Sequence, residues 1–171
     1  MKILNLGCGP HKRDDEIGVD ILPGKKVDLV ADLDSNRLPF LSNSIDLIRS
    51  NHCFEHLSNT VQIMEEVHRI LKPNAIAEIT VPHVSNIGFF RDPTHKRPFT
   101  YDTFDYFVRD IDTVKYTNIE FDYLKKTLIF SSGLRGKIGK LIFNISPRQY
   151  EKYYTWRYPC YELFVKLKAI K

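Results

Sequence analysis

The sequence predicts an α/β fold built on an open, mostly parallel sheet, and three observations carry that expectation. A short apolar run from Lys2 to Leu6 ends in Gly7-Cys8-Gly9-Pro10, and a second run ends in a carboxylate, Asp20. Glycines at the end of a first strand let bare backbone approach a ligand, and an acid at the end of a second can hold a ribose. The segments then alternate as strand, turn, strand, turn, strand, helix, strand, the pattern of an open parallel sheet. Ligands of such sheets bind outside the carboxyl ends of the strands, so Gly7, Asp20, Asp32, Asn51 and Pro82 should converge on one crevice.

Each element has a local reason. Only Pro10 to Asp15 separate Gly9 from the second strand, Glu16 to Asp20. A full crossover needs at least about ten residues and Pro10 lacks a backbone donor, so the first helix is expected to be shortened or missing. That argues against a pyrophosphate seated on a helix N-terminus. Leu22-Pro23-Gly24 is a turn, Val27 to Ala31 a third strand, and Ile45 to Ser50 a fourth. Asn59 caps the clearest helix, with Gln62 at its third position and Val61, Met64, Val67 and Leu71 on one face. Lys72-Pro73 stops it, and Ala75 to Val81 is the fifth strand. Pro82 to Phe99 reads as a long loop without periodicity, of the kind that is usually functional. Thr100 caps a helix with Phe104, Phe107 and Val108 on one face, and Ile119 to Tyr123 alternates as a strand that can run on to Phe130. An amphipathic piece follows near Lys137 to Phe143, and Glu162 to Ile170 is the last strand.

Length and composition fit one domain, residues 1–171, with a cofactor-binding half (1–82) and an acceptor-side half (83–171) that carries a basic, aromatic insertion at 133–159. An apolar content of 43% with 27% charged residues is ordinary for a soluble globular protein. No run approaches the roughly 18 apolar residues of a membrane helix, and Met1-Lys2 leads straight into the first strand rather than into a signal peptide. Cys8, Cys53 and Cys160 are odd in number and far apart, which suggests reduced thiols and a cytoplasmic location. The net charge of +4 hides an asymmetry: Gly133 to Lys171 hold nine Lys/Arg against two Glu, a net +7, so the preceding residues carry −3. Such a tail can meet phosphate, nucleic acid or a membrane surface, or simply be a solvated face.

Read together, these residues resemble the class I S-adenosylmethionine-dependent methyltransferases, in particular the small bacterial and archaeal enzymes. The matching stretches are Leu4-Asn5-Leu6-Gly7-Cys8-Gly9-Pro10, Asp20, Ala31-Asp32-Leu33, Leu38-Pro39-Phe40, Ile45 to His52, Phe54-Glu55-His56-Leu57 and His68 to Pro73, in the family's order. The resemblance implies a Rossmann-like class I methyltransferase fold with an antiparallel last strand, and S-adenosylmethionine as cofactor. It implies that Leu6, Gly7, Cys8 and Gly9 meet the amino-acid part of the cofactor. Asp20 and Ile21 would then face the ribose, Asp32 and Leu33 the adenine, and Asn51 and His52 the sulfonium. Two residues depart from the pattern. Asn5 stands where the family commonly has an acid, and Asn74 where it often has glycine, although Asn tolerates a left-handed turn.

Methyl transfer needs chiefly positioning, with a general base if the acceptor is a hydroxyl. His95, Asp92 and His52 are the candidate catalytic residues, with Asp92 orienting His95, and His95, Arg97 and Phe90 are the candidate acceptor contacts. His56 and His68 are expected to be structural. His83, Asp92 and His95 match no metal spacing, so no metal site is expected. The expected partner is a small-molecule acceptor bearing a hydroxyl, of sugar or glycan type. An RNA methyltransferase using the basic region ranks lower because no nucleic-acid motif accompanies it, and a non-catalytic scaffold is the reading from another class. Peripheral membrane contact through the insertion, and a monomer or a homodimer, are both compatible with the sequence.

Overall fold

The computed structural model describes residues 1–35 and 37–171. Its strands are β1 (Ile3–Leu6), β2 (Glu16–Asp20), β3 (Leu29–Val30), β4 (Ile45–Asn51), β5 (Leu71–Pro82), β6 (Glu120–Ile129) and β7 (Glu162–Ile170). They form one sheet in the order β3-β2-β1-β4-β5-β7-β6. The pairs among β1 to β5 are parallel, while β7 runs antiparallel to both β5 and β6. The antiparallel last strand is therefore inserted one place inside the edge, which β6 occupies.

The first helix is missing. Residues 7–15 are turn and coil, and the amides of Gly7 and Cys8 both reach Val19 O, at 2.8 and 3.1 Å, which ties the turn directly to β2. Among the described residues, no helix lies between β2 and β3 or between β3 and β4 either. The third strand is shorter than expected: only Leu29–Val30 pair with β2. Before it, the Asp28 carboxylate accepts from Gly18 N at 2.7 Å, where a strand carbonyl would otherwise stand.

Helix α1 (Thr60–Ile70) begins as expected, with Asn59 Oδ1 accepting from Gln62 N at 3.2 Å. The Gln62 side-chain amide also donates to Ser35 O at 3.1 Å, tying the helix start to the preceding loop. The fifth strand starts earlier than the proline suggested. Leu71 already pairs with Ile45, Pro73 falls in a register break, and Asn74 takes the left-handed turn at φ +63° before Ile76 rejoins the ladder. Two further expectations need correction. The segment after β5 is not structureless, because Asn86 caps a short helix, α2 (Ile87–Arg91), by accepting from Gly88 N at 2.8 Å. Nor does the Thr100 side chain cap the next helix. The Thr103 hydroxyl accepts from Thr100 N at 2.9 Å, and Thr103–Phe107 form a tight 3₁₀ turn that buries Phe104, Phe107 and the following Val108. The amphipathic piece is α3 (Leu134–Ile145), followed by a three-residue turn, α4 (Pro147–Gln149), and a π turn, Tyr150–Tyr154.

The sheet has two unlike faces. One is apolar: Leu4, Leu6, Val19, Ile48, Ala77 and Val165 are fully buried, and Met64, Val67 and Ile70 of α1 join the same core. The other carries a row of charges across the strands. Arg49 of β4 donates to Glu16 of β2 at 2.7 Å and to Glu78 of β5 at 3.2 Å, and Glu78 meets Lys166 of β7 at 2.9 Å. Parallel strands covered on both faces are apolar throughout, whereas β7 alternates buried and half-buried residues along its whole length. The loss of the first crossover helices and this charged face belong together. Burial pushes the Glu16 carboxyl up, but hydrogen bonds from Arg49, Asn5 and Arg13 N outweigh it and hold it below its ordinary value. Replacing Arg49 by Met would leave Glu16 buried without its charge partner. We expect a loss of about 2 kcal/mol in urea unfolding, with Asn5 retained as a neutral donor.

The segment after β5 is anchored at its start by a buried histidine. His83, fully buried, lies 2.8 Å from Ser85 Oγ through Nδ1 and 2.8 Å from Glu151 Oε1 through Nε2, and Glu151 also accepts from Tyr101 N at 2.9 Å. Burial disfavours the charged imidazole, yet the Cys160 sulfur and the Glu151 carboxylate raise its pKa from 6.5 to about 9. A raised pKa means that the stabilisation is fully present below pH 6.5 and is lost as pH climbs through about 9. It amounts to about 3 kcal/mol. Thermal unfolding of the wild type should therefore weaken between pH 7 and 10 by more than that of His83→Gln; equal slopes would contradict the assignment.

Candidate active site

Gly7 and Gly9 sit at the carboxyl end of β1 with φ of +66° and +48°. A Cβ on Gly7 would stand 2.4 Å from the Cys53 sulfur, so the backbone passes too close to Cys53 for any side chain. A Cβ on Gly9 would meet nothing within 4 Å, because that position looks into open space. Asp20, at the end of β2, accepts from Gly9 N at 2.9 Å and from Leu22 N at 3.0 Å, which fixes the glycine turn against β2. Asp32 accepts from Asp34 N at 2.9 Å, and Asp34 in turn accepts from Ser58 N at 2.8 Å.

These strand ends surround a cavity of about 600 Å³, bordered by Gly7, Gly9, Asp20, Asp32, Leu33 and His52 among others. Ile21 and Leu22 also line it and are 61% and 69% exposed, a large apolar area beside two carboxylates. A second crevice of about 570 Å³ opens on the charged face of the sheet, where Asn5, Cys8, Asn51 and Phe164 meet the same glycines. The donor set suits an adenosyl group without phosphates: bare backbone at Gly7 and Gly9, carboxylates at Asp20 and Asp32, and apolar flanks at Ile21, Leu22 and Leu33.

The structure disperses the remaining sequence-derived residues. Leu6 is fully buried in the core and offers only backbone to the site; its carbonyl accepts from Ser50 Oγ at 3.1 Å. Cys8 points inward beneath Gly18, and burial raises its thiol pKa, as burial raises that of Cys53 to about 12, so neither is a thiolate near neutral pH. His52, at φ +52°, borders both crevices. Its ring lies between Glu55 Oε1 at 3.3 Å and Glu162 Oε1 at 3.0 Å, and the Glu55 contact, then Glu162, raise its pKa to about 8. Asn51 is exposed and faces the second crevice. Asn5 donates to Glu16 at 2.8 Å, so the acid missing at this position has a carboxylate beside it.

The segment after β5 folds back over the 3₁₀ turn Phe54–His56. Lys96 N and Arg97 N both donate to Glu55 O, at 2.7 and 3.1 Å, which brings Thr94 and Lys96 to the rim of the 600 Å³ cavity. The hydrogen-bond partner of His95 is the Phe89 carbonyl, 2.8 Å from Nδ1, while Asp92 Oδ2 lies 3.8 Å from its Nε2. Asp92 instead closes an Asx turn by accepting from Thr94 N at 2.8 Å and Thr94 Oγ1 at 2.6 Å. Arg97 donates twice to Ser58 O, at 3.0 and 2.5 Å, and thus straps the loop. Phe90 is 59% exposed and packs edge-on against Phe89. Sequence reasoning passed over Glu55, the fully buried carboxylate on which this loop docks. A signal was present, an acid flanked by Phe54 and His56 in the strand-to-helix link.

Comparison with known proteins agrees with this geometry. Residues 16–79 match the family model described as a methyltransferase domain. A search of the curated proteins finds no match. Among solved structures, an S-adenosylmethionine-dependent methyltransferase from Mesorhizobium loti has a TM-score of 0.61 at 15% identity, covering 98% of this chain and 90% of that one. The YcgJ protein from Bacillus subtilis has a TM-score of 0.62 at 15% identity, with 99% and 92% covered. An S-adenosylmethionine-dependent methyltransferase from Archaeoglobus fulgidus has a TM-score of 0.62 at 18% identity, with 98% and 85% covered.

The Gly7 turn provides a direct check. Gly7→Ala forces a Cβ into Cys53 and strains a positive φ, so it should lower the thermal midpoint and remove binding of S-adenosylhomocysteine. Gly9→Ala meets no protein atom and should keep more of the fold, with the loss concentrated in ligand affinity. Residues 16–79 thus match a methyltransferase domain, and the chain as a whole shares the fold of solved S-adenosylmethionine-dependent methyltransferases.

Proposed function

We propose that the chain methylates a hydroxyl group of a small-molecule acceptor, of sugar or glycan type. The observation that carries this reading is the docking of the His83-to-Phe99 segment on the Glu55 carbonyl, which sets polar acceptor-side groups beside the cofactor cavity. When bound, the cofactor supplies an electrophilic sulfonium methyl. The chain's own residues hold and orient. Backbone at Gly7 to Gly9 receives the amino-acid end, Asp20 accepts from the ribose hydroxyls, and Asp32 accepts from the adenine amino group. Ile21, Leu22 and Leu33 exclude water from its faces.

On the acceptor side, the Phe89 carbonyl fixes the tautomer of His95 with the proton on Nδ1. The lone pair at Nε2 is then free to act on the acceptor hydroxyl. His52, charged between two carboxylates, contributes position rather than base strength. Arg97 keeps guanidinium donors beyond its bond to Ser58, for an anionic part of the acceptor.

Calorimetry with S-adenosylhomocysteine is the first test, followed by a labelled-methyl screen of sugars and polyols. Asp20→Asn should weaken binding by roughly tenfold, the worth of one charge-assisted hydrogen bond. No binding by the wild-type chain at high micromolar ligand would sink the proposal, as would transfer to RNA alone.

A further inference from the structure

We propose that Glu55, His56 and His95 form a binding site for one divalent transition-metal ion of the zinc type, on the acceptor side of the cofactor cavity. One ligand atom from each of the three lies within 4.8 Å of the others. The two imidazole rings meet edge-on, with centroids 4.7 Å apart. Each ring is held so that its free nitrogen is Nε2. His95 gives its Nδ1 proton to the Phe89 carbonyl at 2.8 Å. His56 Nδ1 lies 2.9 Å from Thr94 Oγ1, whose own proton goes to Asp92 at 2.6 Å, so this nitrogen is the donor. Carbonyl and hydroxyl partners on the far nitrogen are the usual means of aiming a ligating histidine.

Glu55 supplies an independent observation. Its side chain is fully buried, Oε1 faces His52 at 3.3 Å and His95 Nε2 at 3.9 Å, and Oε2 has no hydrogen-bond partner among the described residues. A buried carboxylate oxygen without a partner is costly, and a cation removes that cost. Two imidazoles and one carboxylate suit zinc and leave a position open, and His56 lines the cavity from which an acceptor would approach.

The role of the ion rests on the proposed hydroxyl methylation, although its binding does not. The acceptor hydroxyl coordinates at the open position and releases its proton to solvent. The new O–C bond then forms as the methyl's bond to sulfur breaks. With the ion bound, the His95 Nε2 lone pair is held by the metal, so activation of the hydroxyl by the ion replaces direct proton transfer to His95.

The test is calorimetric titration of the full chain with Zn²⁺, with absorption of the Co²⁺-loaded protein as a second readout. We expect one ion per chain. His95→Ala and Glu55→Gln should weaken binding by roughly 100-fold, and His68→Ala, on the flank of α1, should leave it unchanged. Absence of wild-type binding overturns the site, as does equal affinity in His95→Ala, or loss in His68→Ala matching that in His95→Ala. S-adenosylhomocysteine binding measured on the same samples separates the two proposals. Cofactor binding without zinc binding removes only the metal site, whereas zinc binding without cofactor binding removes only the methyl-transfer reading.

Discussion

The structure turns on how little chain connects its first strands. Residues 7–15 must carry the backbone from the end of β1 to the start of β2, and they do so as a turn held by two amides on Val19 O. With no room for a helix, one sheet face cannot be covered from that side. A sheet face left to water must be polar, and Glu16, Arg49, Glu78 and Lys166 make it so in alternating sign. Alternation matters because a row of like charges across neighbouring strands would destabilise the sheet. The same economy opens the glycine turn, so that the cavity at the strand ends and the crevice on the charged face share Gly7, Gly9 and His52.

The other half of the chain compensates by docking. The segment after β5 is fixed at its start by the His83–Glu151 pair and near its end by two backbone bonds to Glu55 O. Arg97 and Lys96 add straps to Ser58. Glu55 therefore links the turn after β4, which borders the cavity at the strand ends, to the loop expected to meet the acceptor. Its carbonyl positions the loop, and its carboxylate lies between His52 and His95. Among the described residues no helix is long and apolar enough to cross a membrane. The basic, aromatic insertion folds instead as α3, a turn and a π turn, which buries Phe143 and Tyr150 and leaves Leu141, Ile145 and Trp156 exposed.

Much of this was written in the chain by local chemistry. The glycine pair, Asp20, the Asn59 cap, the apolar face of α1 and the alternation of the last strand depend on neighbours a few residues apart. The parallel order of the first strands follows from such motifs taken in sequence. Asn74 at φ +63° was legible for the same reason, since a single residue type decides it. Tertiary structure decided what depends on distant partners. Leu71 joined β5 because Ile45 was there to pair with it, despite the nearby proline. Asp92 turned to Thr94, leaving the Phe89 carbonyl to orient His95. The buried Glu55 between two histidines appeared only when residues far apart in sequence were folded onto one turn. Spacing can show a strand end, but which side chains face each other across it depends on packing.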